Sequence, residues 1–191
     1  MVDQTEQTNP TKSPEDERQY RIAVLKNGIK AVLVSDPETE KGAVCMRVGI
    51  GSFSDPVDLP GTAHFLEHML FLGTQKFPKE DFFENFLQEN GGMSNAMTDN
   101  EDTKYFYDVH HTGLLPSLEK FASFFTCPLL RRESSKREIN AIQSEFEMDL
   151  PHDSWRFHQL AAHISDPKTV LNRFSIGILP FLIANFGNSH N

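Results

Sequence analysis

Residues 61–74 have the sequence GTAHFLEHMLFLGT, which places three chemically active side chains in an otherwise apolar stretch. His64, Glu67 and His68 form the pattern H-x-x-E-H. At about 100° per residue, these three side chains fall within about 100° of one another on the surface of a helix. Because the other positions are nearly all apolar, the sequence predicts a buried helix over residues 62–72.

The three polar side chains of this helix need a compensating partner if they are buried. Placing two imidazoles and a carboxylate in an apolar environment costs several kcal/mol without one. A Zn²⁺ ion would bind the neutral imidazoles of His64 and His68 and leave Glu67 nearby as a proton acceptor. The alternative is a pair of core histidines that form hydrogen bonds with Glu67 and the backbone.

A catalytic zinc site needs a third protein ligand, and residues 137–149 (REINAIQSEFEMD) contain the candidates. In a helix, Glu138 and Glu145 lie two turns apart along one edge of the apolar face, whereas Glu147 projects to the far side. Glu145 or Glu138 is therefore better placed to reach a metal than Glu147. The alternative is that all of these acids are simply exposed on the helix surface.

The remaining pattern predicts an α+β domain with a largely antiparallel sheet. Alternating or β-forming runs predict strands over residues 20–26, 29–35, 43–50, 93–97 and 103–109. The dipeptide Asn27-Gly28 predicts a tight hairpin turn between the first two. Helical spacing predicts further helices over residues 81–90, 114–125, 133–150 and 155–164.

Composition excludes several classes of protein. The 191 residues include eighteen Lys and Arg against twenty-seven Asp and Glu, for a net charge of −9, and no basic stripe is present. These features argue against nucleic-acid binding, and no apolar run is long enough to predict a membrane span. The first nineteen residues do not resemble a targeting leader, so we expect a cytoplasmic protein. Cys45 and Cys127 lack metal-pair spacing and are predicted to be small buried residues.

Three stretches together resemble the insulinase (pitrilysin-type) zinc metallopeptidases. They are GTAHFLEHMLFLGT, GGMSNAMTDNEDTKYFYDV and REINAIQSEFE, and H-x-x-E-H is the inverted zincin signature. The resemblance runs from about residue 12 to residue 177, in order and with the spacing of the family. It implies a two-layer α/β roll with a mostly antiparallel sheet packed against helices.

The resemblance also implies the role of each site residue. One Zn²⁺ per chain would be bound by His64, His68 and Glu145, with Glu67 as the catalytic base. Glu138 would orient a ligand histidine, which is a common way to set the tautomer of such a ligand. The implied activity is that of a zinc-dependent metalloendopeptidase, which hydrolyses peptide bonds of oligopeptides through a zinc-activated water.

Asn95 and Ala96 match the strand along which family members align the backbone of a peptide substrate. An extended peptide would add itself to the edge of the sheet there. Besides peptide substrates, the resemblance points to a possible partner, either a longer homologue or the C-terminal half found in family members. No nucleic-acid or membrane partner is expected.

The resemblance predicts a division of the chain into three parts. Residues 1–19 would form a polar disordered tail, 20–177 an incomplete N-terminal metallopeptidase domain, and 178–191 a divergent apolar tail. Family members are several times longer and close two halves around the substrate. The resemblance therefore also allows a second function. The chain would then be a truncated homologue, catalytically weak or silent, that acts as a zinc-binding or interaction module.

Overall fold

A computed structural model describes residues 10–173 and residue 176. The chain divides into two compact units, of which one ends at Glu40 and the other begins at Lys41. The apolar tail predicted for residues 178–191 lies outside the described residues, as do the first nine residues of the predicted polar tail. The predicted boundaries at residues 20 and 177 therefore stay predictions.

The first unit contains an antiparallel hairpin of strands β1 (Gln19–Val24) and β2 (Lys30–Ser35). The tight turn predicted between them is confirmed, since the Gly28 N–H donates a hydrogen bond to the Leu25 carbonyl (2.9 Å). Just before β1, the Arg18 guanidinium forms an ion pair with the Asp16 carboxylate at 2.8 Å. That hydrogen bond holds the pKa of Asp16 well below its usual range.

The second unit contains the remaining predicted strands and helices. Its described elements are β3 (Lys41–Val48), α1 (Thr62–Leu70), α2 (Phe82–Glu89), β4 (Met93–Thr98), β5 (Thr103–His110), α3 (Leu114–Thr126), α4 (Arg132–Asp149) and α5 (Asp153–Ile164). Each predicted element is present, with ends that differ by a few residues. None of these described helices is long and apolar enough to cross a membrane.

The sheet of the second unit is antiparallel and has the strand order β3-β5-β4. Alternate residues of the central strand β5 point to opposite faces, so that Tyr105, Tyr107 and Val109 are buried while Phe106 is 40% exposed. Strand β4 pairs with β5 on one side, and among the described strands it forms one edge of this sheet.

Two apolar clusters hold the second unit together. The larger, here called the aromatic core, consists of Leu70, Phe83, Leu87, Tyr105, Tyr107, Val109, Phe121 and Phe124. The smaller, here called the α1–α4 cluster, consists of Phe65, Met69, Ile139 and Ile142. One face of the sheet therefore packs against helices. This arrangement confirms the predicted α+β class, in which a mostly antiparallel sheet is covered by helices.

The predicted burial was wrong at two positions. Cys45 is exposed, because alternation along β3 directs it away from the face on which Val44 and Met46 pack against the aromatic core. Leu66 of α1 is 41% exposed, so the helix is not covered on every side. Cys127 is half-buried.

Candidate metal centre

Helix α1 begins at a backbone arrangement that the sequence analysis missed. Gly61 precedes the helix with φ +87°, a left-handed conformation that glycine adopts without strain. The Asp55 carboxylate accepts hydrogen bonds from the N–H groups of Gly61 (2.7 Å) and Ala63 (2.8 Å). Burial raises the pKa of Asp55, and these backbone hydrogen bonds oppose that effect. The acid therefore satisfies N–H groups that the start of a helix leaves without partners.

Packing fixes which face of α1 is open to the cleft. Phe65 and Met69 belong to the α1–α4 cluster, whereas Leu70 belongs to the aromatic core. The two imidazoles of α1 are therefore held on the side that faces a cleft of about 910 Å³. Residues of α1, β4, α4 and α5 line this cleft.

Three ligand atoms converge in the cleft. His64 Nε2 and His68 Nε2 are 3.2 Å apart. Glu145 Oε2 of α4 lies 3.6 Å from the first nitrogen and 3.4 Å from the second. The structure therefore brings together the two predicted histidines and the acid that the resemblance assigns as third ligand.

Hydrogen bonds on the other side of each imidazole determine its tautomer. His64 Nδ1 lies 2.9 Å from the carbonyl oxygen of Ile176, and His68 Nδ1 lies 3.1 Å from Glu138 Oε2. Because carbonyl and carboxylate oxygens accept hydrogen bonds, each Nδ1 carries the proton and donates. In the neutral rings, both Nε2 atoms therefore direct lone pairs at the space between them and Glu145 Oε2.

The carboxylates around the two imidazoles favour a positive charge between them. Burial lowers the pKa of His68, but the hydrogen bond with Glu138 and the charge of Glu145 outweigh burial, so the pKa lies above its ordinary value of 6.5. The carboxylate of Glu67 acts in the same direction. A cation placed among these groups would be stabilised in the same way.

The donor set fits a zinc ion. With Zn–N and Zn–O distances of about 2.0–2.2 Å, adjacent ligands of a tetrahedral site lie about 3.4 Å apart. The three separations here are 3.2, 3.4 and 3.6 Å, and two neutral imidazoles with one carboxylate are a donor set typical of catalytic zinc sites. Three such protein ligands would leave a fourth position for water or substrate.

Glu67 lies on the same face of α1 but is not part of the converging trio. Its side chain is 8% exposed, and its Oε2 accepts a hydrogen bond from Thr98 Oγ1 at the end of β4. Sequence analysis missed Thr98, because the contact joins β4 and α1 and periodicity indicates only the structure within one element. The carboxylate thus lines the cleft beside the converging trio.

Asn95, Ala96 and Glu147 also lie in described elements of the second unit. Asn95 and Ala96 are on the edge strand β4 and line the cleft. The Ala96 N–H donates to the side chain of Asn95 at 2.8 Å. Glu147 is exposed on α4 and accepts a hydrogen bond from Gln143, and it is not among the three residues that converge in the cleft.

Comparison with known proteins identifies the family. A family model described as Insulinase (Peptidase family M16) matches residues 30–168. The chain belongs to the insulinase family. An insulinase-family relative, the insulin-degrading enzyme of Mus musculus, is 49% identical over 166 residues, which cover 87% of this chain and 16% of the relative. The resemblance stated from the sequence motifs is therefore confirmed.

Two further comparisons concern chemistry and fold. A Schizosaccharomyces pombe protein whose name describes a zinc protease is 43% identical over 162 residues, covering 85% of this chain and 17% of that protein. The crystal structure of pitrilysin matches with a TM-score of 0.89 at 35% identity and covers 93% of this chain and 19% of the pitrilysin chain. The chain thus spans less than a fifth of the insulinase-family proteins it resembles.

Proposed function

We propose that this chain is a zinc-dependent metalloendopeptidase domain that hydrolyses peptide bonds of oligopeptides. The observation that carries the proposal is the convergence of two imidazole lone pairs and one carboxylate oxygen beside the buried carboxylate of Glu67. Membership of a peptidase family and the names of two relatives support the same reaction. We also propose a cytoplasmic location, as expected from the sequence.

One Zn²⁺ ion per chain would be held by His64 Nε2, His68 Nε2 and Glu145 Oε2. When bound, zinc supplies Lewis acidity, which acidifies water and polarises the carbonyl of the peptide bond. Glu138 holds His68 in the tautomer that directs a lone pair at the metal position, and the Ile176 carbonyl does the same for His64.

Glu67 would transfer the protons of the reaction. Its carboxylate accepts a proton from the attacking water while the water oxygen forms a bond to the carbonyl carbon. The same carboxyl group then delivers the proton to the leaving nitrogen as the C–N bond breaks. Because Glu67 is one residue from His68 on the same helix, the base and the two histidine ligands are positioned by one rigid element.

The edge strand β4 would align the substrate. Asn95 and Ala96 lie on that strand where it lines the cleft. A peptide backbone could add to this edge as a further antiparallel strand, with its scissile bond near the metal position. Main-chain hydrogen bonds would then give affinity for extended peptides with little dependence on their sequence.

A second candidate function is that of a zinc-binding or interaction module with weak or no hydrolysis. Helix α5 favours it, since no residue of this helix is buried and Phe157 and Ile164 are 71% and 74% exposed. Exposed apolar side chains on one helix are typical of a surface that contacts another protein. A longer homologue, or a C-terminal half like that of family members, would be the partner.

The purified 191-residue chain and its Glu67→Gln variant separate the two functions. We expect the parent to contain one zinc per chain and to cleave an internally quenched fluorogenic peptide, with activity lost on chelation and restored by zinc. Glu67→Gln should retain zinc and lose roughly 100- to 10,000-fold in kcat. Zinc retained by both proteins with no hydrolysis by either would favour the module.

Metal analysis tests the third ligand independently of hydrolysis. Glu145→Gln should lose zinc during dialysis against a weak chelator, because the amide oxygen is a much poorer zinc ligand than a carboxylate. Glu147→Gln on the exposed side of the same helix is the matched control and should retain the metal. Equal zinc content in both variants would exclude Glu145 as a ligand.

A further inference from the structure

The last residue of β4 contacts the residue proposed as the base. Thr98 Oγ1 donates a hydrogen bond to Glu67 Oε2 at 2.5 Å. Within residues 10–173 and 176, this is the hydrogen bond that the Glu67 carboxylate receives, and no second donor contacts it there. Among the described residues, the Thr98 hydroxyl is therefore the hydrogen-bond donor that contacts this carboxylate.

The Thr98 hydroxyl is itself held in place by the sheet. Thr98 pairs with Thr103 across the β4–β5 ladder, and their Oγ1 atoms are 3.2 Å apart. Thr103 is 3% exposed, and its hydroxyl donates to the carbonyl of Ile50 at 2.9 Å. Threonine is branched at Cβ and restricted at χ1. The rotamer of Thr98 therefore keeps its Oγ1 beside Thr103 and its hydroxyl directed at Glu67.

The turn beside Thr98 is also tightly packed. A Cβ atom on Gly51 would lie 2.4 Å from the backbone carbonyl of Asp99, so only glycine fits where this loop crosses the β4–β5 turn. The Ser52 N–H donates to the same carbonyl at 3.0 Å. The end of β4 is thus fixed by backbone contacts as well as by side chains.

We infer that Thr98 is a positioning residue for Glu67, an inference that rests on the proposed peptidase function. The terminal torsion of a glutamate has a broad energy profile, so an unrestrained carboxylate would rotate. A donor on Oε2 restricts that rotation and leaves Oε1 free to accept the proton from water. Since Thr98 follows Ala96 by two residues, one strand would align the substrate backbone and also orient the base.

Two substitutions distinguish positioning from a structural role. Thr98→Val keeps the shape of the side chain and removes the donor, whereas Thr98→Ser keeps the donor. In the zinc-loaded 191-residue chain, we expect Thr98→Val to lower kcat roughly 10- to 100-fold, with KM within about twofold. Zinc affinity, measured by competition with a chromogenic chelator, should stay within about twofold of the parent. Thr98→Ser should recover most of the lost kcat.

Three kinetic results would overturn the inference. They are a Thr98→Val variant as active as the parent, a change in KM with kcat unaffected, and a Thr98→Ser variant as impaired as Thr98→Val. Circular dichroism on each variant confirms that the chain is folded.

A stability measurement tests the hydrogen bond between Thr98 and Glu67 even if the parent chain does not hydrolyse peptides. Failure of hydrolysis would contradict the proposed function, whereas the double-mutant cycle of Thr98→Val and Glu67→Ala reports on the hydrogen bond itself. If the bond forms, the unfolding constant of the double variant should differ roughly three- to tenfold from the product of the single effects. Strictly additive effects would overturn the role of Thr98.

Discussion

The aromatic core and the α1–α4 cluster differ in size and in what they hold in place. The aromatic core contains eight buried residues, in which rings pack edge to face, as for Phe83 and Phe124 at 5.1 Å. The α1–α4 cluster contains only four, from the two helices that carry the candidate metal ligands. We infer that most of the free energy of unfolding comes from the first region, while the geometry of the metal centre depends on the second.

Polar contacts join separate elements in both regions. In the aromatic core, a hydrogen bond at 2.8 Å joins the hydroxyl groups of Tyr107 on β5 and Ser117 on α3. Around the candidate metal centre, the hydrogen bond of His68 on α1 with Glu138 on α4 is such a contact, and His68 Nε2 lies 3.4 Å from Glu145 Oε2 of the same helix α4. Because the three candidate ligands come from both α1 and α4, their geometry should be more sensitive to small movements of α4 than the fold is.

Truncation in the aromatic core should have the largest effect on stability. Phe124 is 0% exposed, and Phe124→Ala should lower the free energy of unfolding by about 3–5 kcal/mol. The measurement is chemical denaturation of the zinc-free chain. Phe157→Ala on α5, where the side chain is 71% exposed, is the control and should change stability by less than about 0.5 kcal/mol. Zinc affinity of the folded Phe124→Ala chain should stay close to that of the parent.

Truncation in the α1–α4 cluster should affect both properties. Ile142 is 0% exposed, and Ile142→Ala should lower the free energy of unfolding by about 2–4 kcal/mol. Zinc affinity should also fall, because the cavity allows α4 to shift and Glu145 to move with it. Ile142→Val is the milder variant, with an expected loss of about 0.5–1.5 kcal/mol. If Phe124→Ala and Ile142→Ala changed the Kd for zinc equally, the proposed separation of the two regions would be wrong.

Local features of both regions could be predicted from the sequence. Apolar spacing identified α1 and α4, and the angle between successive helical residues put His64 and His68 on one face. The same geometry placed Glu138 and Glu145 closer to the imidazoles than Glu147, and both lie within 3.4 Å of a His68 ring nitrogen. These predictions depend only on regular backbone geometry within one element, which periodicity reports directly.

Contacts between elements could not be predicted in this way. Asp55 and Ala63 are 8 residues apart, Glu67 and Thr98 are 31 apart, and His64 and Ile176 are 112 apart. One of these partners is a backbone carbonyl, which has no residue type to recognise. Such contacts depend on how strands and helices pack, and that information is not contained in the pattern of any single stretch.

The smallest expected effect concerns the attachment of α4 and its dependence on pH. The Glu80 carboxylate accepts hydrogen bonds from Ser134 Oγ and from the Arg137 guanidinium at the start of α4. These hydrogen bonds, that of Ser134 first, lower the pKa of Glu80 below its ordinary value of 4.5. Because the folded-state pKa is depressed, the carboxylate stabilises the fold above pH 4.5 and loses that contribution as the pH falls further.

Comparison of the parent with Glu80→Gln from pH 7 to pH 3 measures this contribution. The parent should be the more stable at pH 7, and the difference in the free energy of unfolding should shrink steadily below about pH 5. Glu119→Gln, at an exposed ion pair of α3 with Lys76, is the matched control and should show a small difference. A Glu80→Gln difference that stayed constant across this range would show that the charge of Glu80 does not attach α4.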